Sequence, residues 1–140
     1  MSYQHKVQYY ETDRMGITHH SNYIRFMEEA RTEWMESMGM SYDTFEQLGL
    51  TSPMLSVSCN YKRPTTYSDI IDIAVYIKDC VHLKIRVAYV MTCRGEVVCT
   101  GESSHCFLDE KGRPVSLKKS YPDVYANYAA YQAAQGEYKL

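Results

Sequence analysis

The sequence predicts an α+β domain, and two observations carry that expectation. Residues 21–38 repeat their apolar positions at helical spacing, whereas from Pro53 onward the period drops to two and holds for four long stretches. One amphipathic helix can cover one face of an antiparallel sheet whose strands bury alternate side chains.

In chain order, residues 4–10 read as a first strand, with Val7 and Tyr9 on one face and Gln8 and Tyr10 on the other. Residues 11–20 form a loop in which Gly16 is free to take a backbone conformation closed to other residues. The helix over 21–38 has Tyr23, Met27, Ala30 and Trp34 on one stripe, widened by Ile24, Met35 and Met38. Arg25, Glu28, Glu29, Arg31, Glu33 and Glu36 take the remaining positions, as a solvated or interface face. Ser21 or Asn22 can cap its start, and Gly39 can end it in a left-handed turn. Residues 41–48 add a short helix closed by Gly49.

Four strands follow. Val57, Cys59 and Tyr61 alternate with polar neighbours, then Ile71, Ile73, Val75 and Ile77 do the same. Leu83, Ile85, Val87, Tyr89 and Met91 form the third set, and Val97, Cys99, Gly101, Ser103, His105 and Phe107 the fourth. Turns are expected at 79–82 and at Arg94-Gly95, and residues 109–114 end the last strand. A C-terminal helix over 122–134 carries Val124, Tyr128 and Tyr131 on one stripe, with Tyr121 and Tyr125 beside it. Long strands leave open sheet edges, and pairing between two subunits is the economical way to close them.

Bulk properties fit a single domain over residues 1–140. At 140 residues the chain buries roughly two-thirds of its unfolded surface, enough for one core. Hydrophobic residues make up 45% and charged residues 23%, a globular mix, and the net charge of −2 gives no basis for general nucleic-acid binding. No secretory leader follows Met1, and no run approaches the roughly 18 apolar residues of a membrane span. The 5 cysteines show no C-x-x-C spacing and read as reduced strand residues, which suits a cytoplasmic location. Neither paired cysteines nor His-x-x-x-His spacing occurs, so no metal site is expected.

The run YYETDRMGITHHSNYIRFMEEARTEWM resembles the start of the hotdog-fold acyl-CoA thioesterases of the 4-hydroxybenzoyl-CoA thioesterase family. The matching positions are Asp13, Gly16, His20, Asn22-Tyr23 and the Glu28-Glu29-Ala30-Arg31 stretch. A second match, VSCNYKRPTTYSDIIDI, resembles the family's strand, Arg-Pro turn and following strand. The resemblance covers roughly residues 4 to 110. It implies a hotdog fold, a long central helix wrapped by a curled antiparallel sheet, here with a C-terminal helix added. It further implies homodimers or homotetramers with active sites between subunits, and hydrolysis of an acyl-CoA thioester without metal or redox cofactor.

The chemistry of the loop agrees. A thioester hydrolase needs a nucleophile or an activated water, and a donor for the developing oxyanion. Asp13 can attack the carbonyl directly or act as general base. The helix start supplies unsatisfied N–H groups and a partial positive charge. By resemblance the oxyanion donor is the His20 backbone N–H; the imidazole either packs or orients the thioester or a water. Gly16 lets the loop turn tightly. The plainer reading of Asp13 is a loop carboxylate that stabilises a helix end, and His19 reads as a loop side chain without a chemical role. Tyr23, Asn22 and Tyr61 are candidate substrate contacts. Lys62 and Arg63 are the leading candidates for the CoA phosphates, with Lys84, Arg86, Lys111, Arg113, Lys118 and Lys119 behind them. A thioesterase acting on an acyl carrier protein, and a non-enzymatic acyl-CoA binding module, are the alternative readings.

Overall fold

The computed structural model describes residues 2–81 and 83–138. Five strands form one antiparallel sheet in the order β1-β3-β4-β5-β2, where β1 is Ser2–Lys6, β2 Met54–Tyr61, β3 Ile70–Val81, β4 Lys84–Cys93 and β5 Glu96–Cys106. The helices are α1 (Asn22–Ser37), α2 (Tyr42–Gln47), α3 (Leu117–Ser120) and α4 (Pro122–Ala134). The α+β class therefore holds, with α1 at 16 residues rather than a longer helix. Among the described residues, no helix is long and apolar enough to cross a membrane.

The two-residue alternation locates the core. Ile71, Ile73, Val75 and Ile77 on β3 and Ile85, Val87, Tyr89 and Met91 on β4 are all buried. Register carries the same face across to β5 and β2, because Ile73 pairs with Met91, Met91 with Cys99, and Cys99 with Tyr61. Against this face α1 lays Phe26, Met27, Ala30 and Trp34, each at most 1% exposed. Side chains the size of Phe26 and Met27 contribute roughly 1.5–3 kcal/mol each when removed from water. At the closest approach Gly101 leaves room for Met27, whose sulfur would lie 2.9 Å from a Cβ built there.

Several expectations change. The first strand stops at Lys6, and Tyr9–Glu11 form a 3-10 turn instead. Glu11 drives this by folding back: its Oε1 accepts from the Gln8 N–H at 2.7 Å and lies 2.7 Å from His5 Nε2. Tyr9 and Tyr10 consequently point to solvent, and their alternation carries no face information. The helix cap also differs. Ser21 is itself helical in backbone and makes no side-chain cap, and Asn22 turns inward to give its Nδ2–H to the Glu11 carbonyl at 2.9 Å. Arg31 is no surface residue; it is 8% exposed and donates to the Tyr89 hydroxyl at 3.0 Å. The expected turn at 79–82 is displaced, since β3 continues to Val81 and Asp79 pairs with Arg86 across the ladder; His82 lies outside the described residues. The short helix α3 has no counterpart in the apolar pattern of the sequence.

The two sheet edges are treated differently. β1 covers β3 only as far as Ala74. Beyond that point α4 serves the exposed backbone: the Tyr131 hydroxyl donates to the Val75 carbonyl, and the Gln135 amide exchanges two 2.8 Å bonds with the Ile77 peptide. β2 has no such cover among the described residues. Leu55 and Tyr61 are about half exposed, and of the expected inward set on this strand Cys59 packs against the core while Val57 and Tyr61 stay exposed.

Candidate functional site

The loop of residues 11–21 is held from both ends. The Asp13 N–H donates to the Ile17 carbonyl at 2.8 Å and the Gly16 N–H to the Asp13 carbonyl at 2.9 Å, which closes a tight turn. Gly16 sits at φ +82°, in the left-handed region where a side chain is strained. Downstream, the Thr18 N–H donates to the Thr65 carbonyl at 2.8 Å and pins the loop to the segment after β2. That segment is anchored in turn, because the Lys62 and Arg63 N–H groups both reach the Val98 carbonyl on β5.

These constraints enclose a cavity of about 410 Å³, in the size range of small-molecule sites. Asp13, His20, Tyr23, Tyr61, Lys62 and Arg63 line it together. Six residues singled out on sequence thus converge, although Tyr61 to Arg63 lie some forty positions from the loop. Gly16 shapes the turn without lining the cavity, and Asn22 is engaged with Glu11 behind it.

Asp13 is half-buried. Its Oδ1 accepts from the Met15 N–H at 2.8 Å, while Oδ2 has no partner among the described residues. That arrangement orients the carboxylate and keeps one oxygen available. His20 occupies the turn ahead of α1, with its carbonyl accepting from the Tyr61 hydroxyl at 3.0 Å. The His20 N–H meets no acceptor among the described residues. The His19 ring stacks on that of His20 with centroids 4.2 Å apart, and His19 Nδ1 lies 2.8 Å from Ser21 Oγ. His19 therefore braces the turn rather than facing the cavity.

Behind Tyr23 lie two threonines, Thr18 and Thr65, that carry no signal in the sequence. Thr18, Thr65 and Tyr23 form a buried hydroxyl cluster, with Thr65 Oγ1 2.6 Å from Thr18 Oγ1 and 2.8 Å from the Tyr23 hydroxyl. Threonines 47 positions apart give no local hint of contact. Burial raises the Tyr23 phenol, and burial followed by the nearby Cys59 thiol pushes Tyr61 up to about 12. Both phenols stay protonated and neutral, and Met15, Ile17 and Pro64 make the rest of the wall apolar.

Among the described lining residues, Lys62 and Arg63 supply the positive charge. Lys62 has no acidic partner among the described residues, whereas Arg63 meets Glu96 at 2.9 Å. Arg86 is engaged with Asp79, and Lys84, Lys111, Arg113, Lys118 and Lys119 lie outside the lining.

The chain has similar counterparts among known proteins. The chain is 34% identical over 122 residues, 87% of its length and 94% of the relative's, to an Aquifex aeolicus (strain VF5) protein provisionally named an esterase. It is 32% identical over 125 residues, 88% of its length and 91% of the relative's, to Bacillus subtilis (strain 168) YneP, provisionally named an acyl-CoA thioesterase. The crystal structure of a DHNA-CoA thioesterase from Staphylococcus aureus superposes with a TM-score of 0.88 at 28% identity, covering 99% of this chain and 95% of the other. The family model of the Thioesterase-like superfamily matches residues 7–128, and the chain belongs to that superfamily.

Proposed function

We propose that this protein hydrolyses an acyl-CoA thioester to a carboxylate and free CoA in the cavity ahead of α1. It is a thioester hydrolase of its superfamily, as the esterase and thioesterase relatives support. The observation that carries the finer reading is the convergence of Asp13, the His20 turn and the basic pair Lys62 and Arg63 on one largely apolar cavity.

In this reading the acyl group lies against Tyr23 and Tyr61, and the CoA phosphates lie toward Lys62 and Arg63. The free Asp13 oxygen takes a proton from a water that attacks the carbonyl carbon, or attacks that carbon itself. The carbonyl oxygen gains charge as the new C–O bond forms, and the unpartnered His20 N–H at the positive end of α1 donates to it. A donor of this kind is worth about 3 kcal/mol in the transition state. On the base route the tetrahedral intermediate expels the CoA sulfur, which takes the proton held by Asp13 and leaves as the thiol. On the direct route the thiolate leaves first, and a water then hydrolyses the acyl-Asp13 anhydride, restoring the Asp13 carboxylate, releasing the acid and giving a proton to the thiolate. These steps draw on no metal or redox group.

The same reading assigns the uncovered edge of β2 to a second copy of the chain, which would wrap the sheet around α1 and complete the cavity. Tyr23 and Tyr61 on the wall favour an aromatic acyl group, and the likeness to the Staphylococcus aureus DHNA-CoA thioesterase supports the same choice. A panel of short, medium, long and aromatic acyl-CoA substrates, read by release of free thiol, tests the proposal. Turnover is expected on at least one, with the aromatic substrate foremost. Failure on all of them would overturn the acyl-CoA reading in favour of a carrier-protein substrate or a binding role.

A further inference from the structure

A second, smaller cavity lies along the C-terminal half of α1, between that helix and the inner face of β4 and β5. Its volume is about 20 Å³, room for one water-sized occupant. It shares no lining residue with the site described above. Arg31, Trp34, His105 and Tyr128 are among its walls.

The charge of this cavity does not balance. Arg31 is buried and donates to the neutral Tyr89 hydroxyl at 3.0 Å, with the Tyr42 phenol also beside it. From Tyr89 the chain of bonds continues to Ser103 Oγ at 2.8 Å and on to His105 Nε2 at 2.8 Å, all uncharged groups. Burial raises the phenols of Tyr89 and Tyr128 and, with Arg31 nearby, lowers His105 to about 4. No carboxylate reaches Arg31 among the described residues, so one positive charge is enclosed without a counter-ion. A lone buried ion is strongly disfavoured.

One turn further along α1, Trp34 is 1% exposed, and its indole Nε1–H is buried with no acceptor among the described residues. A buried donor left unmade is a second defect in the same space. Residues 31 and 34 are neighbours on one helix face, and both line this small volume. A water could accept from the indole but would leave the guanidinium charge uncompensated. A monatomic anion corrects both defects at once. We propose that the cavity binds a single chloride ion between the Arg31 guanidinium and the Trp34 indole N–H, as an integral part of the core. A space of about 20 Å³ suits one small ion.

Trp34 is the chain's one tryptophan, so its fluorescence reads the cavity directly. The protein is titrated with bromide against gluconate at fixed ionic strength, with excitation selective for tryptophan. Saturable quenching that excess chloride reverses is expected, and affinity should weaken at least tenfold in Arg31→Lys and the saturable phase vanish in Arg31→Met, folding being checked by circular dichroism. Quenching that stays linear and ignores chloride would overturn the proposal. Crystals of the unaltered protein grown in bromide decide the matter even if the variants fail to fold. An anomalous peak within hydrogen-bonding distance of Arg31 and Trp34 supports the site; a water or an empty cavity there overturns it.

Discussion

The Tyr61 hydroxyl donates to the His20 carbonyl at 3.0 Å, joining the end of β2 to the turn that begins α1. The bond fixes the peptide plane of the turn from outside the loop. Tyr61 is half exposed, so Tyr61→Phe should cost no more than about 1 kcal/mol of stability. Its effect on turnover should be larger than its effect on folding, because the His20 turn is released. A fall in kcat with a nearly unchanged denaturation midpoint is the expected pair of measurements; equal loss in both would make the bond merely structural.

Asp13 holds its carboxylate by one oxygen, through the Met15 N–H, and leaves the other available. Asp13→Asn keeps an oxygen for that bond while removing the charge. Turnover should drop by roughly 100-fold or more, the range expected for a lost base or nucleophile, with the thermal midpoint little changed. Activity within about tenfold of the unaltered protein would remove Asp13 from the chemistry.

The two cations at the cavity mouth should not behave alike. Arg63 is engaged with Glu96, an exposed pair worth about 1 kcal/mol at most, whereas Lys62 has no acidic partner among the described residues. Lys62→Ala should raise KM for the CoA substrate several-fold at low salt and much less at high salt. Glu96→Gln should lower KM modestly by freeing Arg63. Steady-state kinetics at two ionic strengths check both, and a salt-independent KM for either would exclude phosphate contact there.

How far the sequence reached is visible in these residues. The strands β3 and β4 were legible because two-residue alternation is a local signal that burial on one face enforces. Asp13, Gly16 and His20 were legible as a spaced motif on a short loop. Arg31 was not, because a cation among helical acids looks solvated until the sheet places Tyr89 beneath it. Thr18 and Thr65 were hidden for the same reason, since only the folded chain brings them together. Glu11 acted at a distance as well, ending the first strand early and drawing Asn22 away from the cap.

His105 should make stability pH-dependent. Its folded-state value is lowered to about 4, chiefly by burial and then by Arg31, from an ordinary 6.5. Above pH 6.5 the ring is neutral in both states and the full stability is present. As pH falls from 6.5 toward 4, the unfolded chain gains the proton first, and stability is lost across that window. The shift corresponds to about 3 kcal/mol. Urea denaturation at pH 7 and pH 4.5 should show His105→Asn losing less stability on acidification than the unaltered protein. Identical losses would show that His105 does not carry the effect.

Gly101 and Gly16 separate two reasons for having no side chain. At Gly16 nothing among the described residues lies within 4 Å of a built Cβ, so Gly16→Ala meets the strain of φ +82°, about 1–2 kcal/mol. At Gly101 the backbone is ordinary strand, but a Cβ would come within 2.9 Å of both the Met27 sulfur and the Ser58 carbonyl oxygen. The methionine can swing aside, whereas the carbonyl belongs to β2 and moves only with the strand. Gly101→Ala should therefore cost about 1–3 kcal/mol and push β2 away from β5 near Cys59. Because β2 ends at Tyr61, the displacement should also weaken the bond to His20 and lower turnover. Met27→Ala removes the sulfur contact at its own cavity cost, so a double variant as stable as Met27→Ala alone would show that the Ser58 carbonyl does not limit this position.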